Sequence, residues 1–171
     1  MKVHETEILG SFIIEPEFIQ DERGFFAEVY NWKEMANYGI VSDMIQWNIS
    51  FNKKAGTVRG MHYQQEPSAE DKTVRCTAGS IHDIILDLRS WSKTYMKWTP
   101  IQLTAENRHM LYIPKGVAHG YQTLEDNTEV CYQVSQYYHP EAARVIKWDR
   151  LDLCIKWPLP VSVISEKDKR G

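Results

Sequence analysis

A mainly β fold, an antiparallel sandwich or barrel, is predicted by three features of this 171-residue chain. Short runs rich in Val, Ile, Thr and Tyr recur along most of it, and these residues suit a pleated, half-buried backbone. Gly, Pro or Asn punctuates the runs, as the connections of antiparallel strands require. Within the runs apolar and polar residues alternate, the period of a strand with one buried face. No linker, repeat or low-complexity stretch interrupts the pattern, so residues 1–171 are expected to form a single domain, long enough to bury a core.

The helix signal comes early. Asn31 and Glu34 stand at capping-box spacing, Trp32, Met35 and Ala36 share a face, and Gly39 supplies a stop. "TVRGMHYQQ" (57–65) reads as a strand carrying one histidine within a collar of Arg59, Gly60 and Gln64. Alternation puts His62 on the side of Val58 and Gly60, an inward position without bulky neighbours. "KTVRCTAGSIHDIILDLRS" (72–90) reads as two strands hinged at Ala78-Gly79. Asp83 and Asp87 there alternate with Ile81 and Ile85, so two carboxylates share an apolar face. Either that face is buried and the acids have partners, or it is open to solvent. "RHMLYIPKGVAHGYQTL" (108–124) supplies two more strands, joined through Pro114-Lys115-Gly116. In "TEVCYQVSQYY" (128–138), Val130, Tyr132 and Val134 fall opposite Glu129, Cys131 and Gln133, which turns Tyr132 toward the interior.

Composition narrows the function classes. Hydrophobic content of 43% and charged content of 25% are those of an ordinary soluble globular protein. A net charge of −3 disfavours general nucleic-acid binding, although a local basic cluster could hold a small phosphorylated ligand. Cys76, Cys131 and Cys154 have no metal-like spacing, and their odd number argues against a disulfide scaffold. The start, MKVHETEILG, lacks the apolar stretch of a signal peptide, and no run approaches membrane-spanning length, so a cytoplasmic location with no membrane partner is expected.

"DERGFFAEVY" (21–30), "QWNIS" (46–50), "RGMHYQ" (59–64), "KTVRCTAGSIHDIILDLRS" (72–90), "IPKGVAHGYQTL" (113–124), "VCYQVSQYYHP" (130–140) and "SEKD" (165–168) follow one another in this order. Together the blocks resemble the dTDP-4-dehydrorhamnose 3,5-epimerase family of nucleotide-sugar epimerases. The resemblance implies a double-stranded β-helix, or cupin-type jelly roll, with short peripheral helices, working as a homodimer without metal or other cofactor. It implies inversion of C3 and C5 in a nucleotide-linked 4-keto-6-deoxyhexose. The family's usual substrate is dTDP-4-dehydro-6-deoxy-glucose, and its product, dTDP-4-dehydro-L-rhamnose, feeds bacterial surface polysaccharide synthesis.

C3 and C5 both flank the C4 ketone, so either can lose a proton to give an enolate, and inversion returns a proton to the other face. That calls for a base, a proton donor opposite it and a cation near the oxyanion. Histidine exchanges protons near neutral pH, and His62 fits the base. By resemblance Asp168 is the carboxylate that orients it, although an acid at that position also reads as a solvated terminal residue. Tyr132 fits the donor, or else a core tyrosine. Lys72 fits the oxyanion cation, or else a strand-end lysine in a salt-bridged turn with Glu70 and Asp71. His119 would line the same pocket, supported by Asp83, or would cap the loop at Gly120.

Arg23 and Arg59 each precede a glycine and suit bidentate phosphate contact, with Gly60 leaving room between His62 and Arg59. Phe26 could stack on the pyrimidine and Glu28 could accept from its ring N–H. In the family these residues reach into the partner's site, so the dimer would complete the pocket; a surface turn is the alternative. Gln46, Asn48 and Tyr138 would line the ligand site too.

The chain departs from the family pattern at Lys93 and Met96, where proline and glycine are usual, and it ends at Gly171, soon after Asp168. Such changes bear on the substrate more than on the reaction type. A C3-only epimerase, a ketoisomerase, or an enzyme for a GDP- or CDP-linked ketosugar, a heptose included, is the neighbouring reading. A metal-dependent cupin oxygenase would need two or three histidines with a carboxylate, and "RGMHYQ" offers no His-x-His pair. A non-catalytic sugar-binding β domain would not explain a base and a phenol set across a lysine.

Overall fold

The computed structural model describes residues 1–40 and 43–171. One six-stranded sheet runs β1 (Lys2–Glu5), β2 (Phe12–Glu15), β10 (Met110–Ile113), β7 (Lys72–Ala78), β12 (Thr128–Val134) and β5 (Gln46–Asn52). A second sheet runs β13 (Ala143–Val145), β6 (Thr57–Gln64), β11 (Val117–Thr123), β8 (Ser80–Asp87) and β9 (Trp98–Thr104), with the short β14 (Val163–Ile164) paired to β6. β3 (Ile19–Asp21) and β4 (Gly24–Phe26) form a separate hairpin. All the pairings are antiparallel except that of β14 with β6.

The inner faces of the two sheets close on one apolar layer. Val74, Cys76, Leu111, Ile113 and Val130 come from the six-stranded sheet, and Ile81, Ile85, Ile101, Leu103, Val117 and Tyr121 from the other. This is a double-stranded β-helix, the cupin-type jelly roll. Each outer face carries its own cover. Met35 of the short helix α1 (Trp32–Ala36) packs with Phe12, Ile14, Met110 and Tyr112. Ile146, Leu153 and their neighbours cover Met61, Ile84, Leu86 and Ala118. As the spacing predicts, Asn31 caps α1, its side chain accepting from the Lys33 and Glu34 N–H groups. Trp32 is exposed, because so short a helix turns just one apolar side chain onto the sheet.

Alternation holds in β8 and β12. Asp83 and Asp87 point inward and are fully buried, so the solvent-exposed alternative for their face is wrong. In β6 it fails. His62 stands opposite His119 and Arg59 opposite Tyr121, with a register shift between them, whereas Val58 stands opposite Gln122. Cross-strand partners share a face, so the irregularity at Gly60 puts Arg59, not Val58, on the side of His62. Gly60 also differs in purpose from the expectation. A Cβ there would lie 2.6 Å from Gly120 Cα and 2.7 Å from His119 O, so its bareness admits the neighbouring strand rather than a ligand.

Asp87 organises the turn after β8. Its carboxylate accepts from Arg89 Nε, Ser92 Oγ and Thr94 Oγ1 at 2.8, 2.6 and 2.6 Å, and its carbonyl accepts from the Met96 N–H at 2.8 Å. Burial works against the charge, but these donors outweigh it and hold the carboxyl down at about 2. Met96 turns the chain at φ 60°, a left-handed conformation that explains why glycine is usual there. All three cysteines are free, and burial pushes the Cys76 thiol up to about 11. Among the described residues no helix is long and apolar enough to cross a membrane.

Candidate active site

Two rows of inward side chains cross the six-stranded sheet near one end of the barrel. Register aligns Gln46, Val134, Lys72 and Ile113 in one row, and Asn48, Tyr132, Val74 and Leu111 in the next. At Ile113, Val74 and Leu111 the rows belong to the apolar layer. Gln46, Asn48, Tyr132 and Lys72 instead line a cleft of about 470 Å³. His62 enters that cleft from β6, on the facing sheet, so the imidazole and the phenol project from opposite layers.

His62 Nε2 lies 2.6 Å from Asp168 Oδ1. An ionised carboxylate can only accept, so Nε2 is the donor, and in the neutral ring the lone pair is on Nδ1. Asp168 arrives from the far end of the chain. β14 runs parallel beside β6, Ser165 caps the five-residue helix α2 (Glu166–Arg170), and the Asp168 N–H donates to Ser165 Oγ at 3.1 Å. The buried carboxylate also accepts from the Gly60 N–H at 3.4 Å. Burial opposes its ionisation, but the hydrogen bonds from His62 and Gly60 prevail and hold the carboxyl below the usual range.

Tyr132 is shifted the other way. Burial, and then the nearby Glu70 carboxylate, push the phenol up, with the Arg59 guanidinium opposing them. Lys72 Nζ lies 2.9 Å from Glu70 Oε1, and both side chains are close to nine-tenths buried. The salt-bridged turn and the cleft-lining lysine, weighed as alternatives from sequence, are therefore one arrangement.

Arg59 and His119 stand outside the walls of this cleft. Arg59 Nε donates to Asn52 Oδ1 at 2.7 Å, and Asn52 donates in turn to the Tyr121 hydroxyl at 3.3 Å. His119 Nε2 meets Asp83 Oδ2 at 2.8 Å, as expected of that pair, and Asp83 Oδ1 has no hydrogen-bond partner among the described residues. Burial pushes the Asp83 carboxyl up, against the pull of His119.

Arg23, Phe26 and Glu28 lie on or beside the β3–β4 hairpin, away from the cleft of their own chain. Arg23 pairs with Asp21, Glu28 accepts from Asn31 Nδ2 at 3.1 Å, and Phe26 is 69% exposed.

Tyr138 lines the cleft as expected, with Lys167 Nζ 6.0 Å above its ring. Sequence reading missed Lys167, Arg144 and Glu70 as wall residues. Adjacency to Asp168 in "SEKD" was the available signal for Lys167. Arg144 sits on β13, which no strand pattern announced. Among the described residues no group of three or more His, Cys, Asp or Glu could hold a metal ion.

A jelly roll with this cleft is laid out for acid–base chemistry, and its class is that of the cupin-type isomerases. The chain belongs to the dTDP-4-dehydrorhamnose 3,5-epimerase family, whose profile matches residues 5–171. It is 40% identical over 172 residues to the dTDP-4-dehydrorhamnose 3,5-epimerase of Shigella flexneri, covering 100% of this chain and 94% of that one. A solved structure of the Bacillus anthracis epimerase, with TDP and PPi bound, is similar at a TM-score of 0.94 and 39% identity, covering 98% of this chain and 96% of the other. The dTDP-6-deoxy-D-glucose-3,5-epimerase of Legionella pneumophila, in complex with dTDP-4-keto-L-rhamnose, gives a TM-score of 0.91 and 36% identity, covering 99% and 90%.

Proposed function

We propose that this chain epimerises C3 and C5 of dTDP-4-dehydro-6-deoxy-glucose, yielding dTDP-4-dehydro-L-rhamnose. The observation that carries the reading is the His62–Asp168 pair facing Tyr132 across one cleft that also holds Lys72. The ligands named for the B. anthracis and L. pneumophila structures, a thymidine diphosphate and a dTDP-ketosugar, support the substrate class.

With its proton on Nε2, His62 takes a hydrogen from C3 or C5 on Nδ1, and the imidazolium so formed is stabilised by Asp168. The electron pair moves onto the C4 carbonyl oxygen, where the Lys72 ammonium meets the growing charge. Tyr132 then delivers its proton to the opposite face of the same carbon, inverting it. Solvent exchange resets both groups, and the sequence repeats at the second carbon. Gln46, Asn48 and Tyr138 hold the ligand. In a homodimer the partner's hairpin supplies Arg23, Phe26 and Glu28 to the nucleotide, and their exposure supports that role.

The test is incubation with dTDP-4-keto-6-deoxyglucose in D₂O. Deuterium at both C3 and C5, with product accepted by a reductase selective for the L-sugar, is expected. Label at C3 alone would mean a 3-epimerase, and no label would overturn the reading.

A further inference from the structure

We propose that Glu70 is a positioning residue of this cleft, a carboxylate that fixes the Lys72 ammonium on the wall and offsets its charge beside Tyr132. The proposal rests on the roles assigned above to Lys72 and Tyr132.

A lysine side chain has four rotatable carbons and no directional preference of its own. Lys72 nonetheless has its ammonium 2.9 Å from Glu70 Oε1 in a nearly buried pair. Glu70 Oε2 lies 3.3 Å from Gln64 Nε2, whose two protons are shared among it and the Ser68 and Tyr137 carbonyls at 3.0 and 3.1 Å. Gln64 is pinned at its other end, where Oε1 accepts the His139 N–H at 2.6 Å. The carboxylate is thus braced from β6 and from the segment after β12. This clamp ends at the wall where Lys72 and Tyr132 stand in adjacent rows.

Electrostatics gives the clamp a second effect. Lys72 comes from β7, Arg59 and His62 with Asp168 from β6 and α2, and Arg144 and Lys167 from the rim, while β5 offers the neutral Gln46 and Asn48. Among these charges the Arg59 guanidinium, beyond the cleft wall, favours loss of the Tyr132 proton. Glu70 opposes it, and its charge acts with burial to keep Tyr132 protonated. A donor that gives up its proton prematurely cannot deliver it to an enolate carbon.

Glu70→Gln keeps the shape and removes the charge, and Tyr132 can be titrated without substrate from the phenolate absorbance. The difference between E70Q and E70Q/Y132F is compared with that between wild type and Y132F. The Tyr132 midpoint is expected to fall in E70Q, and the alkaline limb of kcat to move down with it. Glu70→Ala, which frees Lys72, is expected to lower kcat by about tenfold with a smaller change in KM, and Glu70→Asp to restore part of the loss. An unchanged Tyr132 midpoint in E70Q, or wild-type kcat in a folded E70A, would overturn the proposal; if E70A does not fold, the E70Q titration decides. If the wild type exchanged no hydrogen with the ketosugar while the midpoint still fell in E70Q, the epimerase reading would fail and the effect of Glu70 on Tyr132 would stand.

Discussion

Asp168 Oδ1 occupies Nε2 of His62, so the base proposed above has only Nδ1 with which to take a proton. Asp168→Asn tests this at the cost of a single atom. An amide can donate to Nε2 and so stabilise the wrong tautomer, and turnover is expected to fall by about 10²–10⁴-fold, with dTDP affinity by calorimetry nearly unchanged. Wild-type turnover in D168N would show that the pair is structural. Tyr132→Phe should remove the proton return, with a loss of similar order. Because the phenol is pushed up, the donor keeps its proton throughout the neutral range, and in the wild type the alkaline limb of kcat should lie above the usual tyrosine value of about 10. At this scale the sequence was legible wherever chemistry needs one residue type. His62, Tyr132 and Lys72, picked out for residue type, line one cleft, but the sequence could not pair Asp168 with His62 without the family pattern, since 106 positions separate them.

Strands and turns carry predictions of their own. Asp87 ties Arg89, Ser92 and Thr94 into the turn after β8 with its carboxyl held at about 2. A carboxyl lowered from the ordinary 3.8 to about 2 contributes about 2 kcal/mol of stability. That contribution is complete above the unfolded value and is lost as pH falls through the folded one. Asp87→Asn is therefore expected to cost about 2 kcal/mol by urea unfolding at pH 7, with the gap to wild type closing near pH 2. Equal gaps at both pH values would refute the assignment. Gly60→Ala should be worse, because its methyl would meet the backbone of Gly120 and His119 while the residue sits at φ 110°. A loss of roughly 2–4 kcal/mol is expected, together with lower turnover as Asp168 loses its Gly60 contact. Period-two alternation made β7, β8 and β12 readable. It misjudged β6 because a bulge shifts the phase without changing composition, and a one-residue slip exchanges the faces.

Across the whole molecule, the outer face of edge strand β5 exposes Trp47 at 68%, Ile49 at 69% and Phe51 at 50%. An apolar row of this kind on a sheet edge suits a partner of the same chain. Light scattering is expected to give a dimer, and Trp47→Glu with Ile49→Glu a monomer with little turnover, since the hairpin residues would then reach no neighbour's cleft. An active monomer would contradict this. The sheets themselves were legible from patterning, and their jelly-roll order came from the family resemblance, because pairings such as β6 with β11 or β7 with β12 join strands far apart in the chain.

The imidazole and the phenol are mounted on different sheets, so the gap between them is the thickness of the oily layer that holds those sheets apart. Stereochemical outcome is then partly a matter of upholstery. Trimming Ile85 to Val, in the core behind the cleft walls, should alter the ratio of label at C5 to label at C3 before it alters nucleotide affinity. An unaltered ratio in a series of such trims would mean that the two walls hold their spacing by other means.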